Sequence, residues 1–143
     1  MKKILVAIDG SEKSQKVLIR ARFIAEKTAA NVMLMTVVKP LRIVDYYTGT
    51  DLNEKLESEL ANSAKRTLEK ARDYFTGFPF EIETLLAYGD PAEEILVMAE
   101  REKPDLLIMG SRGLGGFGRI MLGSVSAKVL HHINCDMMII RNE

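Results

Sequence analysis

The chain reads as a single-domain α/β protein, an open parallel five-stranded sheet with helices on both faces. Two observations predict this. Short apolar runs alternate with longer runs of helical period in the order βαβαβαβαβ, and such alternation gives parallel strands joined by crossover helices. The first run, Lys3–Ile8, is continuously apolar after its lysine and shows no polar alternation, as a strand covered on both faces should. The 143 residues, with neither internal repeat nor linker, suffice for one domain over 1–143 and a real core.

Each element has a local reason. Lys3–Ile8 is broken by Asp9-Gly10-Ser11, and Ser11 is placed to cap a helix running to about Ala30. Val17, Leu18, Ala21, Ile24, Ala25 and Thr28 share one face of that helix, with Lys13, Lys16, Arg20 and Lys27 along much of the other. Asn31–Val38 is the second strand. Lys39–Thr50 has no period and is read as a long loop of functional length. Asp51–Phe75 is a long helix striped by Leu52, Leu56, Leu60, Ala64, Leu68, Ala71 and Phe75 and closed by Gly77 and Pro79. Phe80–Tyr88 alternates, which predicts a less buried strand at an edge. Asp90 caps and Pro91 opens a helix to about Lys103, its inner face Ala92, Ile95, Leu96 and Ala99, and Pro104 stops it. Asp105–Met109, a helix Val125–Ile133 and a last strand Met137–Arg141 complete the chain.

Between the fourth strand and the last helix lies Gly110–Ser124, Gly-Ser-Arg-Gly-Leu-Gly-Gly-Phe-Gly-Arg-Ile-Met-Leu-Gly-Ser. Glycine lets a backbone approach a ligand closely, and a loop ending on a helix N-terminus presents unpaired N–H groups to an anion. Ser124 stands where an N-cap or a phosphate-contacting hydroxyl would stand. A plain glycine-rich connection accounts for the composition equally well, so the spacing has to decide.

Gly110, Gly113 and Gly123-Ser124 follow the pattern Gly-x2-Gly-x9-Gly-Ser/Thr, which resembles the nucleotide-binding signature of the universal stress protein family. Val6-Ala7-Ile8-Asp9-Gly10-Ser11, Tyr88-Gly89-Asp90-Pro91 and Asp105-Leu106-Leu107-Ile108-Met109-Gly110 are also similar to that family, and the resemblance spans nearly the whole chain. It implies strand order 3-2-1-4-5 in an adenine nucleotide alpha hydrolase-like, Rossmann-like fold. In that order the sheet reverses between strands 1 and 4, and ligands of such sheets sit outside the C-terminal strand ends at the reversal.

The resemblance further implies an ATP site built from Ala7, Ile8, Asp9, Val37, Met109, Gly110, Arg112, Gly113, Gly123, Ser124 and Val125. In it Val37 offers main-chain groups to adenine and Gly110 lies under the ribose. Gly113, Gly123, Ser124 and Val125 hold phosphates through N–H groups. Asp9 contacts ribose or carries magnesium (or manganese), with a turn aspartate as its plainer role. Arg112 points to phosphate or to solvent without preference, and Arg119 reads as a solvated loop arginine. Similar proteins pair their last strand across a two-fold axis, which implies a homodimer. In the family that strand usually begins Cys-Pro, whereas Asp136 follows Cys135 here and Met137-Met138 replace valine-type residues.

Other chemistries fit less well. Gly113–Gly118 matches Gly-x-Gly-x-x-Gly, but a dinucleotide fingerprint turns directly from strand to helix, and here the strand ends before Gly110. The P-loop pattern is absent, as is the aspartate pair of a receiver domain. His131 and His132 are adjacent on a helix and so diverge, leaving Cys135 without a metal set; it reads as a core thiol beside surface histidines. The formal net charge is zero and basic residues are scattered, so neither nucleic acid nor an anionic membrane is an expected partner. One cysteine, and Asp9 interrupting the N-terminal apolar run, suggest a cytoplasmic protein. The expected function is an ATP-binding regulatory or stress-response module acting on a protein partner. A slow ATP hydrolase on the same fold and an interaction module without nucleotide are the alternatives.

Overall fold

The computed structural model describes residues 1–40, 53–111 and 122–141. Nine elements follow in order: β1 (Lys3–Ala7), α1 (Ser14–Thr28), β2 (Asn31–Val38), α2 (Asn53–Asp73), β3 (Ile82–Tyr88), α3 (Pro91–Glu102), β4 (Leu106–Gly110), α4 (Ser124–His132) and β5 (Asp136–Ile140). The strands form one five-stranded sheet in the order β3-β2-β1-β4-β5, every pair parallel. The expected order and the edge position of the third strand both hold. Of the expected loop Lys39–Thr50, residues 41–50 lie outside the described residues.

Two apolar layers sandwich the sheet, and successive residues of one strand feed opposite layers. Ile4, Val6 and Ile8 pack with Val17, Leu18 and Ala21 of α1 and with Leu68 and Ala71 of α2. Leu5 and Ala7 pack with Ala92, Ile95 and Met98 of α3 and with Val129 of α4. This is why β1 carries no polar alternation: both of its faces are inside. Met98, one turn after Ile95 and absent from the expected inner face of α3, is buried as well.

The helix ends depart from expectation in instructive ways. α1 begins at Ser14, not beside Ser11, because residues 11–13 form a turn in which the Ser14 N–H reaches the Ser11 carbonyl at 3.0 Å. Its cap position is Lys13, whose side chain does not cap the helix, so Ser11 is not the cap. It closes at Thr28 because Ala29 turns left-handed at φ 54 and its N–H returns to the Ala25 carbonyl. Thr28 is exposed, its hydroxyl donating to the Ile24 carbonyl at 2.8 Å. α3 follows expectation: the Asp90 carboxylate accepts the Glu93 N–H at 3.0 Å with Pro91 next in line.

Asp105 precedes β4 and ties the two central strands at their starts. Its carboxylate accepts the N–H groups of Lys2 and Lys3 at 2.6 and 2.9 Å. Those bonds, the one from Lys2 foremost, hold its pKa below the ordinary 3.8. A depressed carboxylate contributes stability that is present above its unfolded pKa and is lost as pH falls through its folded pKa. Asp105→Asn should therefore lower the denaturation midpoint at neutral pH. The gap from the parent should close as pH falls through the carboxylate range and the folded-state carboxylate takes up its proton. A gap independent of pH would show that the ionised carboxylate contributes nothing.

Candidate functional site

The strand order brings the C-terminal ends of β1 and β4 side by side, and the chain leaves them in opposite directions. From β1 it passes through Asp9-Gly10-Ser11 to α1; from β4 it passes through Ser111 toward α4. A cavity of ≈ 180 Å³ opens where they part. Register fixes its floor: Ala7 pairs with Met35 of β2 and with Met109 of β4, and all three line it. Its walls come from both sheet faces, Val17 from α1 and Pro91, Ile95 and Val125 from α3 and α4.

Of the sequence-predicted residues, Ala7, Ile8, Asp9, Val37, Met109, Gly110 and Val125 all line this cavity. Gly123 and Ser124 sit next to Val125 at the start of α4 but are not part of its lining. Arg112, Gly113 and Arg119 lie outside the described residues. Met35, Ser14, Val17, Pro91 and Ile95 escaped the sequence reading. The signal for Met35 was available: in a parallel pair, the residue beside Ala7 on β2 follows from the register once the two strand starts are aligned.

Asp9 is exposed at the mouth. Its Oδ1 accepts the Ser11 N–H at 3.0 Å and the Ser14 hydroxyl at 3.1 Å. The carboxylate thus builds the turn that leads into α1, and it is the one acidic group among the described lining residues. A carboxylate oxygen suits a hard divalent cation. Gly10, at φ +81, is pressed against α2, where a Cβ would lie 2.7 Å from Thr67 Oγ1.

The far side is fastened by α4. Its N-cap is Gly123 at φ -64, ψ 162, so Ser124 is the exposed first helical residue and not the cap. The Gly123 N–H donates to the Ser111 carbonyl at 2.8 Å. Ser126, 1% exposed, sends its hydroxyl to the Ser111 carbonyl at 2.7 Å and the Gly123 carbonyl at 3.1 Å. The two ends of the glycine stretch are therefore clamped together, a role for Ser126 that residue pattern did not reveal. Lys128 bridges α4 to α3, 3.2 Å from Glu93 and 3.6 Å from Asp90. The Glu93 N–H lowers the Asp90 pKa, and the hydrogen bond to Glu93 raises that of Lys128. Cys135 is half-buried at the opposite end of the sheet, its thiol pKa raised by burial, and His131 and His132 are exposed.

An open α/β sheet, wound in both directions from its centre with a cavity at the reversal, defines a class of ligand-binding folds. The universal stress protein family profile matches residues 1–141. The chain is 32% identical over 145 residues to universal stress protein YxiE of Bacillus subtilis, covering 97% of this chain and 98% of that one. It is 36% identical over 140 residues to a universal stress protein of Thermus aquaticus, covering 98% of each. Among solved structures, UspA from Lactobacillus plantarum superposes with a TM-score of 0.82 at 26% identity, covering 98% and 97%. A universal stress protein in complex with cAMP superposes at 0.70 with 25% identity, covering 99% and 98%. The chain belongs to the universal stress protein family.

Proposed function

We propose that the chain binds an adenine nucleotide, ATP with magnesium or manganese, in the cavity between β1 and β4 and acts as a nucleotide-dependent regulatory module in a stress response. The observation that carries this reading is the convergence of Ala7, Ile8, Asp9, Val37, Met109, Gly110 and Val125 on one cavity at the sheet's reversal. The family member solved with cAMP supports an adenine ligand. In this reading Val37 meets adenine, Gly110 underlies the ribose, and the N–H groups at Gly113, Gly123, Ser124 and Val125 receive phosphate. Arg112 adds a cation. Asp9 holds the metal.

Asp9 Oδ1 already serves the turn, and the described lining holds no second carboxylate to activate water. Binding, with hydrolysis slow or dependent on a protein partner, is therefore the preferred function, and phosphate release over hours from pure protein measures the alternative. The reading is of a cytoplasmic protein without nucleic-acid or membrane partners. No helix among the described residues is long and apolar enough to cross a membrane.

Titration calorimetry with millimolar ATP tests the proposal; absence of both heat and stabilisation would refute it. Asp9→Asn keeps an oxygen acceptor for Ser11 and Ser14 while removing the charge. It should leave stability nearly unchanged and weaken the magnesium-dependent part of the affinity about tenfold, roughly 1.4 kcal/mol. An unaltered magnesium dependence would reduce Asp9 to a turn residue.

β5 is an edge strand with half-buried Met137–Ile140 and with β4 as its neighbour on one side alone. An apolar edge invites pairing with another chain, and we propose that β5 pairs with its copy in a homodimer. Light scattering at tens of micromolar should give twice the chain mass. A monomer would refute it and point to Asp136, the exposed first residue of β5.

A further inference from the structure

Behind the Asp9–Ser11 turn, on the side away from β4, lies a second cavity of ≈ 350 Å³ between α1 and α2. Its floor is apolar, made by Ile8, Leu18 and Ala71. Two cations stand in its wall, Arg66 and Lys70, four residues apart and so on one face of α2. Like charges at that spacing repel, and neither residue has an ion-pair or hydrogen-bond partner among the described residues. Glu12, the one carboxylate in the described lining, forms no ion pair with them. An apolar floor beside two exposed cations without ion-pair partners suits one ligand chemistry: an oxyanion carried on a small apolar body.

From this arrangement we infer that the α1–α2 groove is a second ligand site, for a phosphate monoester. Arg66 and Lys70 bind the phosphate, and the ester's apolar part rests on Ile8, Leu18 and Ala71. The site stands apart from the nucleotide reading, because neither cation lines the cavity at the reversal. Ile8, Ser11 and Ser14 line both cavities, so an occupant of the groove abuts the turn built by Asp9.

The test is an amide NMR titration of the whole chain with phenyl phosphate, repeated on Gly123→Val and on the double variant Arg66→Gln/Lys70→Gln. The expected result is saturable shifts at Ser11, Gln15, Ser63 and Thr67, kept in Gly123→Val and weakened at least tenfold in the double variant. Failure to saturate, shifts confined to the surroundings of Gly110 and Gly123, or equal affinity in the double variant would each overturn the inference. ATP titrated into the double variant reads the nucleotide proposal separately: its affinity there should equal the parent's, and a loss equal to that of phenyl phosphate would show one shared site and overturn the second.

Discussion

Gly123→Val should fold like the parent and lose ATP affinity by at least a hundredfold, about 2.7 kcal/mol. Gly123 has φ -64 and ψ 162, a conformation open to any L-residue. The cost of forcing a side chain into a left-handed position, which the sequence leaves open at about 1–3 kcal/mol, therefore does not arise at this glycine. Its N–H bond to Ser111 and the bond its carbonyl accepts from Ala127 are main-chain contacts that valine keeps. Valine is a poorer N-cap than glycine, by about 1 kcal/mol at most. What valine changes is access. Its branched side chain stands at the N-terminus of α4, where a phosphate would need to reach the N–H groups of Ser124 and Val125. Ser124→Ala leaves those groups in place and removes one hydroxyl, toward about 1.5 kcal/mol of affinity. Gly113→Val should match Gly123→Val, and Arg119→Ala should fall below Ser124→Ala. Binding at the parent's strength by folded Gly123→Val would show that the glycine stretch is a connection and not a cradle.

The sheet was legible because parallel strands leave a coarse signal. Lys3–Ile8 reads as buried on both faces, and Ile4 and Leu5 do enter opposite layers. Asp90-Pro91 was legible because one side chain and one ring define that cap. The start of α1 was not. Asp9 draws the Ser11 N–H into a turn, and the Ser14 N–H goes to the Ser11 carbonyl and not to its hydroxyl. Sequence ranks serine above glycine as a cap, yet Gly123 and not Ser124 has the extended backbone from which α4 starts. Ser126 was missed because its two acceptors, Ser111 and Gly123, are twelve residues apart in sequence and meet only in the fold. Site residues at the strand ends, and Val125 at the start of α4, came with the family resemblance. Those carried by helix walls, such as Val17 and Ile95, required the packing itself.

Gly10→Ala should destabilise the fold by about 2–4 kcal/mol. Part of the loss is in the backbone: at φ +81 an L-residue costs roughly 1–2 kcal/mol. The rest is contact. The new methyl would lie 2.7 Å from Thr67 Oγ1 and 3.3 Å from Thr67 Cγ2, so either the turn or the threonine has to move. Thr67 is a stiff β-branched residue on α2, and its hydroxyl donates to the Ser63 carbonyl at 3.1 Å. Rotating it away gives up that bond, about 1 kcal/mol. If the turn moves instead, it carries the Ser11 N–H and the Ser14 hydroxyl off Asp9. The two contributions separate in a double-mutant cycle. Thr67→Ala removes the obstructing oxygen and Cγ2 while leaving the backbone angle of residue 10 unchanged. Gly10→Ala on the Thr67→Ala background should therefore recover the contact part alone and still cost roughly 1–2 kcal/mol. Urea denaturation of the four proteins measures both parts. A Gly10→Ala protein as stable as the parent would mean that the Asp9–Ser11 turn is free to shift, and that α2 does not hold the mouth of the cavity in place.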